Sequence, residues 1–158
     1  LGVDFTARGM TTVTGSVPAA DAAALGVEEG IGQGQVTASP FGMALVAATL
    51  AHGSVPAPTI VEGQPGVADP APEPLPATVD EQVQSMMRET ITDGTATQLQ
   101  DIPGMLGKTG TAEYIDDQHA HGWFVGIDGD VALAVFVSDA GSSGPAVDAA
   151  GAFLRAAG

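Results

Sequence analysis

Gly104-Met105-Leu106-Gly107-Lys108-Thr109-Gly110-Thr111-Ala112-Glu113-Tyr114 is the stretch on which the reading of the whole chain turns. Lys108 is the only lysine in 158 residues of formal net charge −15, with Gly107 before it and Gly110 two positions after. In an extended segment successive side chains point to opposite faces, so Thr109 and Thr111 share one side while Lys108, Gly110 and Ala112 share the other. Gly110, without a side chain, leaves the strand surface open to a ligand backbone. The stretch reads as a strand edge suited to an anionic ligand.

Two families carry a Gly-Lys-Thr core. A phosphate-binding loop requires a glycine five residues before the Gly-Lys pair and a helix after it. That position, counted back from Gly107, is Ile102, and Gly110-Thr111-Ala112-Glu113-Tyr114 continues as a strand. The other candidate is the Lys-Thr-Gly element of penicillin-recognising serine enzymes. The triplet alone is equally compatible with a surface lysine on a glycine-rich strand.

Composition sets outer limits. The length suits one domain, and 44% hydrophobic residues suffice for a core. Nineteen acidic residues against four basic ones argue against nucleic acid as a partner, since no basic cluster exists to neutralise phosphates. Cysteine is absent, which excludes disulfides and thiolate metal sites. No apolar run approaches the roughly 18–20 residues of a membrane span, and the first residues lack a signal-peptide layout. The absence of an initial methionine leads to the expectation of an excised piece of a longer protein.

Along the chain, Pro18 opens an alanine-rich run through Leu25 suited to one or two helical turns. Ile31-Gly32-Gln33-Gly34-Gln35 is a glycine-spaced loop. Ser39 is an N-cap with Pro40 at the first helical position, and Phe41 to Ala51 is nearly all apolar or small, which predicts a helix enclosed on most sides and ended by His52-Gly53. Seven prolines between Val55 and Thr78 leave a short extended piece at 56–60, then a mobile acidic loop over 62–79. From Asp80 a helix is expected, with Val83, Met87 and Ile91 at i, i+4 and i+8 and Met86 beside them as core. Asp93-Gly94 closes it, and Gly94-Thr95-Ala96 leads into a polar loop.

Asp116-Asp117-Gln118-His119-Ala120-His121 contains metal-ligand residue types, but so short a run between two strands reads as a solvated connection, and no metal or cofactor is expected. Residues 121–127 and 131–137 are strands joined at Asp128-Gly129, a hairpin signal. The continuous apolar composition of the second predicts burial on both faces. Ser142-Ser143-Gly144-Pro145 opens a last helix through Val147, Ala150, Gly151 and Leu154. The order describes an α+β domain in which antiparallel strands near 106–114, 121–127 and 131–138 are flanked by helices.

Taken together, Gly107-Lys108-Thr109-Gly110-Thr111-Ala112-Glu113, a short loop, Gly122-Trp123-Phe124-Val125-Gly126, a hairpin and a last helix resemble the C-terminal end of the transpeptidase domain of penicillin-binding proteins, closest to the class B group. The Ile31-Gly32-Gln33-Gly34 loop, the Thr37-Ala38-Ser39-Pro40 helix start and the Gly94-Thr95-Ala96 turn are similar to the same family, and all occur in its order. The resemblance implies the C-terminal part of a penicillin-binding/β-lactamase-like transpeptidase fold. Its activity is D,D-transpeptidation of peptidoglycan stem peptides through a serine ester, with acylation by β-lactams. Lys108 would supply positive potential that aids proton shuttling and attracts the substrate carboxylate. The Thr109 and Thr111 hydroxyls would bind that carboxylate, and the Thr111 N–H would be one of two oxyanion donors, the loss of such a donor costing about 2.7–4 kcal/mol. Gly110 would admit the D-Ala-D-Ala backbone as an added strand. Trp123 is expected to pack behind this strand. The resemblance also implies a location at the extracytoplasmic face of the bacterial cell membrane.

The chain departs from the family at the nucleophile. A Ser-x-x-Lys motif ending on the sole lysine would need a serine where Met105 stands, and Ser-x-Asn is impossible because there is no asparagine. Residues 1–158 are therefore expected to be the C-terminal portion of one transpeptidase domain, without nucleophile, general base or second oxyanion donor, and inactive alone. The missing N-terminal half is the expected partner, and the exposed edge favours a homodimer of the piece. Alternatives are a non-catalytic module that senses or binds β-lactams or D,D-peptides, and a serine β-lactamase.

Overall fold

The tight hairpin over Asp128, Gly129, Asp130 and Val131 sets the main sheet. Asp128 and Val131 are register partners, so the central residues are Gly129 and Asp130, one position later than the Asp128-Gly129 pair suggested. Gly129 has φ of 55°, the sign that the first central residue of a II′ turn requires.

The computed structural model describes residues 2, 4–7, 9–18, 27–68, 72–114 and 119–157. Its elements are β1 (Phe5–Ala7), β2 (Met10–Thr11), β3 (Gly15–Ser16), α1 (Val27–Gly30), β4 (Thr37–Ala38), α2 (Pro40–His52), β5 (Thr59–Val61), β6 (Gln64–Pro65), β7 (Val67–Ala68), α3 (Ala77–Thr92), a 3-10 turn (Thr97–Leu99), β8 (Leu106–Glu113), β9 (Ala120–Asp128), β10 (Val131–Val137) and α4 (Gly144–Ala157). The alanine-rich run after Pro18, Asp69 of the acidic loop, and Asp116, Asp117 and Gln118 lie outside the described residues.

The main sheet has the order β10-β9-β8 and is antiparallel throughout. On one face Phe124 and Leu133 join Ile91, Leu99, Met105, Val147 and Leu154 in a core beneath α4 and the end of α3. On the other, Val125 and Ile127 pack on Ala47 and Leu50 of α2 and Met87 of α3. The glycines that bracket this arrangement make room for one ring: Gly107 and Gly126 are register partners, and a Cβ at Gly107 would lie 2.5 Å from the Phe124 ring. A Cβ at Gly126 would overlap the Met105 methyl and the same ring.

The start of α2 follows its sequence signal. Ser39 is extended, its Oγ accepts the Gly42 N–H at 3.0 Å, Pro40 occupies the first turn, and Gly53 ends the helix at φ of 73°. Its enclosure is less than its composition suggested. Ala47, Thr49 and Leu50 are buried, whereas Phe41 is exposed, because the helix covers one sheet face and borders a cleft with the next.

Five further expectations are corrected. α3 starts at Ala77 rather than Asp80, with the Val79 and Asp80 N–H groups on the Pro76 carbonyl, so the 62–79 loop ends at Pro76. That loop is not devoid of elements: β6 pairs with β5, and β7 pairs with β1. Pro65 is tolerated because a two-stranded ladder leaves its missing N–H on an outer side. Met86 is exposed, since Met87 and Ile91 turn into the core and Val83 packs against it half-buried, which leaves Met86 on the outer side. The segment after Gly94 is packed rather than polar, with Ala96, Leu99, Ile102 and Met105 all buried. Finally, β9 is the central, most buried strand, while β10 is outermost among the described residues and leaves Val131 and Phe136 exposed. An apolar run marks a strand that packs on something, but it does not say whether another strand lies beside it.

Candidate active-site strand

β8 presents the site because of how an antiparallel ladder alternates. The Tyr114 N–H donates to the His119 carbonyl at 3.3 Å, so bonding to β9 falls on every second residue back from Tyr114: Ala112, Gly110 and Lys108. The backbone groups of Thr109 and Thr111 therefore point away from β9. Two contacts mark that side: the Thr109 carbonyl accepts Lys108 Nζ at 2.6 Å, and the Thr111 carbonyl accepts Gln33 Nε2 at 3.4 Å. β8 is an outermost strand among the described residues, so the Thr109 and Thr111 N–H groups face an edge without a strand partner.

The side chains divide as the alternation requires. Lys108 and Gly110 lie on the α2 face opposite Val125 and Trp123, and Thr109 and Thr111 lie on the other. Thr109 is buried at 8% exposure, with its Oγ1 against Thr95 Oγ1, whereas Thr111 is exposed. Beside the strand runs a cleft of about 540 Å³ lined by Met43, Val46, Leu50, Val83, Met86 and Trp123, by the Ile31–Gln33 loop and by Lys108 to Ala112. Among the described residues that line it, Lys108 is the one that carries a charge. Low-polarity walls focus its field on whatever enters. Trp123 thus lines the cleft face, 4.7 Å from the Phe136 ring, instead of lying behind the strand.

Surrounding elements hold this edge in place. Arg88 of α3 donates to the Met105 carbonyl at 2.9 Å and ties down the approach to β8. The loop carrying Gln33 is shaped by Gly32 and Gly34, at φ of 82° and 66°. Beyond the far end of β8, Tyr114 stacks on His121 with ring centroids 4.1 Å apart, and its hydroxyl reaches Asp139 at 3.1 Å. His121 Nδ1 accepts the Asp139 N–H at 3.1 Å, which commits that nitrogen to a structural role. Among the described residues no group of three or more His, Asp or Glu is arranged to hold a metal ion. Far from the cleft, Arg155 of α4 holds Asp101 through two bonds of 2.7 Å, and that hydrogen-bonded guanidinium keeps the Asp101 carboxyl below its ordinary pKa.

Lys108, Thr109, Gly110 and Thr111 thus come together as one edge, as the sequence indicated. Gln33 and Thr95 join them without having been singled out as site residues. Each stands in a short glycine-marked motif, but no local pattern says which strand such a loop touches.

An antiparallel sheet with helices on both faces and Lys-Thr-Gly on its outer strand belongs to the penicillin-recognising folds. The family model described as the penicillin binding protein transpeptidase domain matches residues 9–156, and the chain belongs to that family. Among solved structures it is similar to a crystal structure of Pseudomonas aeruginosa PBP2 in complex with WCK 5153. The TM-score is 0.65 and the identity 27%, over 82% of this chain and 32% of that one. The chain therefore spans 32% of that protein's length. Comparison with curated protein sequences finds no match.

Proposed function

We propose that these residues form the substrate-binding strand and one cleft wall of a peptidoglycan D,D-transpeptidase that β-lactams acylate. The observation that carries the reading is the outward-facing backbone of Thr109 and Thr111 beside Lys108, on a strand edge that borders an apolar cleft. A D-Ala-D-Ala peptide adds to such an edge through main-chain bonds, with Gly110 leaving room for its backbone. Its scissile carbonyl oxygen comes to the Thr111 N–H as charge develops, while Thr109 and Thr111 hydroxyls take the terminal carboxylate and Lys108 adds positive potential. The nucleophilic serine, its base and the second oxyanion donor are supplied by residues beyond these 158, since no serine here stands three residues before a lysine. The location that fits is the extracytoplasmic face of the bacterial membrane, where stem peptides are cross-linked.

The test is incubation with a fluorescent penicillin followed by intact mass and peptide mapping. The full-length protein is expected to take up one adduct, at a serine outside this chain, and the 158-residue piece none. An adduct on a serine within the piece refutes the assignment. A full-length protein that binds the penicillin reversibly, with no adduct, is a sensing or binding module instead.

A further inference from the structure

Thr95 is held in place from both sides. Behind it, Gly94 lies so close to the last turn of α3 that a Cβ there would be 2.8 Å from the Thr90 Cα. Ahead of it, Ala96 is wholly buried, with its N–H on the Thr90 carbonyl at 3.1 Å and its own carbonyl accepting the Leu99 N–H at 3.0 Å. Leu99 is itself wholly buried in the core. Between these anchors Thr95 is exposed and sets its Oγ1 against the Oγ1 of Thr109.

Each hydroxyl has a single proton, so one of the pair donates and the other accepts. We propose that Thr95 is a positioning residue that donates to Thr109, which leaves the one Thr109 proton to be directed at an anionic ligand group on the free edge of β8. A carboxylate only accepts hydrogen bonds, so a bound carboxylate selects this direction over the reverse. The chain Thr95 to Thr109 to carboxylate then strengthens cooperatively. Thr109 is mostly buried, so little water competes with Thr95 and the ligand for its hydroxyl. The inference rests on the reading of β8 as a carboxylate-binding strand, and it adds to that reading the group that orients one of its donors.

The experiment uses the full-length protein, with Thr95→Val, which keeps the branched shape without the hydroxyl, and Thr95→Ser, which restores the hydroxyl. Acylation rates are measured with a penicillin and with its methyl ester, whose carboxyl carries no charge. Thr95→Val is expected to slow the acid by up to roughly ten-fold, the upper end for one neutral hydrogen bond, here strengthened by the chain to the carboxylate, and to leave the ester nearly unchanged. Thr95→Ser is expected to restore the ratio of acid to ester. An equal fall for acid and ester would mean that Thr95 only supports the fold, and this inference would be wrong. A rise in the acid-to-ester ratio for Thr95→Val would mean that Thr109 donates inward to Thr95, which would overturn the inference equally. Absence of any adduct on the wild-type protein would remove the transpeptidase reading itself, a result distinct from either.

Discussion

Gly107→Ala tests the packing that places Lys108. The new methyl would lie 2.5 and 2.7 Å from two atoms of the Phe124 ring and 3.1 Å from the Ile91 Cδ1. Carbon atoms rest at about 3.5–4.0 Å, so the overlap with the ring is close to 1 Å. Phe124 cannot swing aside, because it is wholly buried among Ile91, Leu99 and Met105, which are wholly buried too. Overpacking of this kind costs about 1–3 kcal/mol, and the gain from replacing glycine within a strand offsets roughly 0.5–1 kcal/mol of it. A net loss of about 1–2 kcal/mol lowers the melting temperature by at most roughly 2–8 °C, the range for a domain of about 150–250 residues, and by less in a larger cooperative unit. Calorimetry of the full-length protein reads the shift. Phe124→Leu, costly in the wild type, is expected to be less costly beside Ala at 107, with a coupling of at least ~0.5 kcal/mol in a double-mutant cycle. A Gly107→Ala protein as stable as wild type, or additive behaviour of the two changes, would show that the ring is not wedged against Gly107.

Lys108→Ala is expected to slow penicillin acylation on the order of a hundred-fold, the scale of losing one preorganised electrostatic group, with the circular dichroism spectrum unchanged because the side chain is exposed. Unaltered acylation would remove Lys108 from the site. Thr111→Val is expected to weaken binding of carboxylate-bearing ligands while leaving deacylation of the bound adduct nearly intact, since the backbone N–H remains; equal losses in both steps would contradict the separation of hydroxyl and backbone roles. Asp101 has a folded pKa below its unfolded one, through its bond to Arg155, so the pair stabilises above roughly pH 4 and is lost as pH falls through the lowered value. The gap in melting temperature between wild type and Asp101→Asn should accordingly be present at pH 7 and narrow by pH 3. A gap that widens on acidification would reverse the sign of the argument.

How far the site was legible depends on the distance over which each feature is determined. The opposed faces of Lys108 and Thr109 follow from the two-residue repeat of any strand, and the start of α2 follows from Ser39 capping its own third N–H. The hairpin at Gly129 was displaced by one residue because both Asp128-Gly129 and Gly129-Asp130 satisfy turn chemistry, and the pairing of β9 with β10 chooses between them.

The sequence by itself determined the local parts: the Lys-Thr-Gly strand and its two faces, the capped apolar helix, the hairpin and the closing helix, together with the family that their order indicates. Backbone preferences, caps and side-chain alternation act within a few residues, so they can be read from a few residues. Tertiary structure alone decided that β8 ends the described sheet and turns the Thr109 and Thr111 backbone outward, and that β9 rather than β10 is the buried strand. It also decided that Gln33 and Thr95 arrive at this edge from 78 and 14 residues away. Those outcomes depend on which surfaces exclude water from one another, a property of the assembled layers that no short stretch of chain contains.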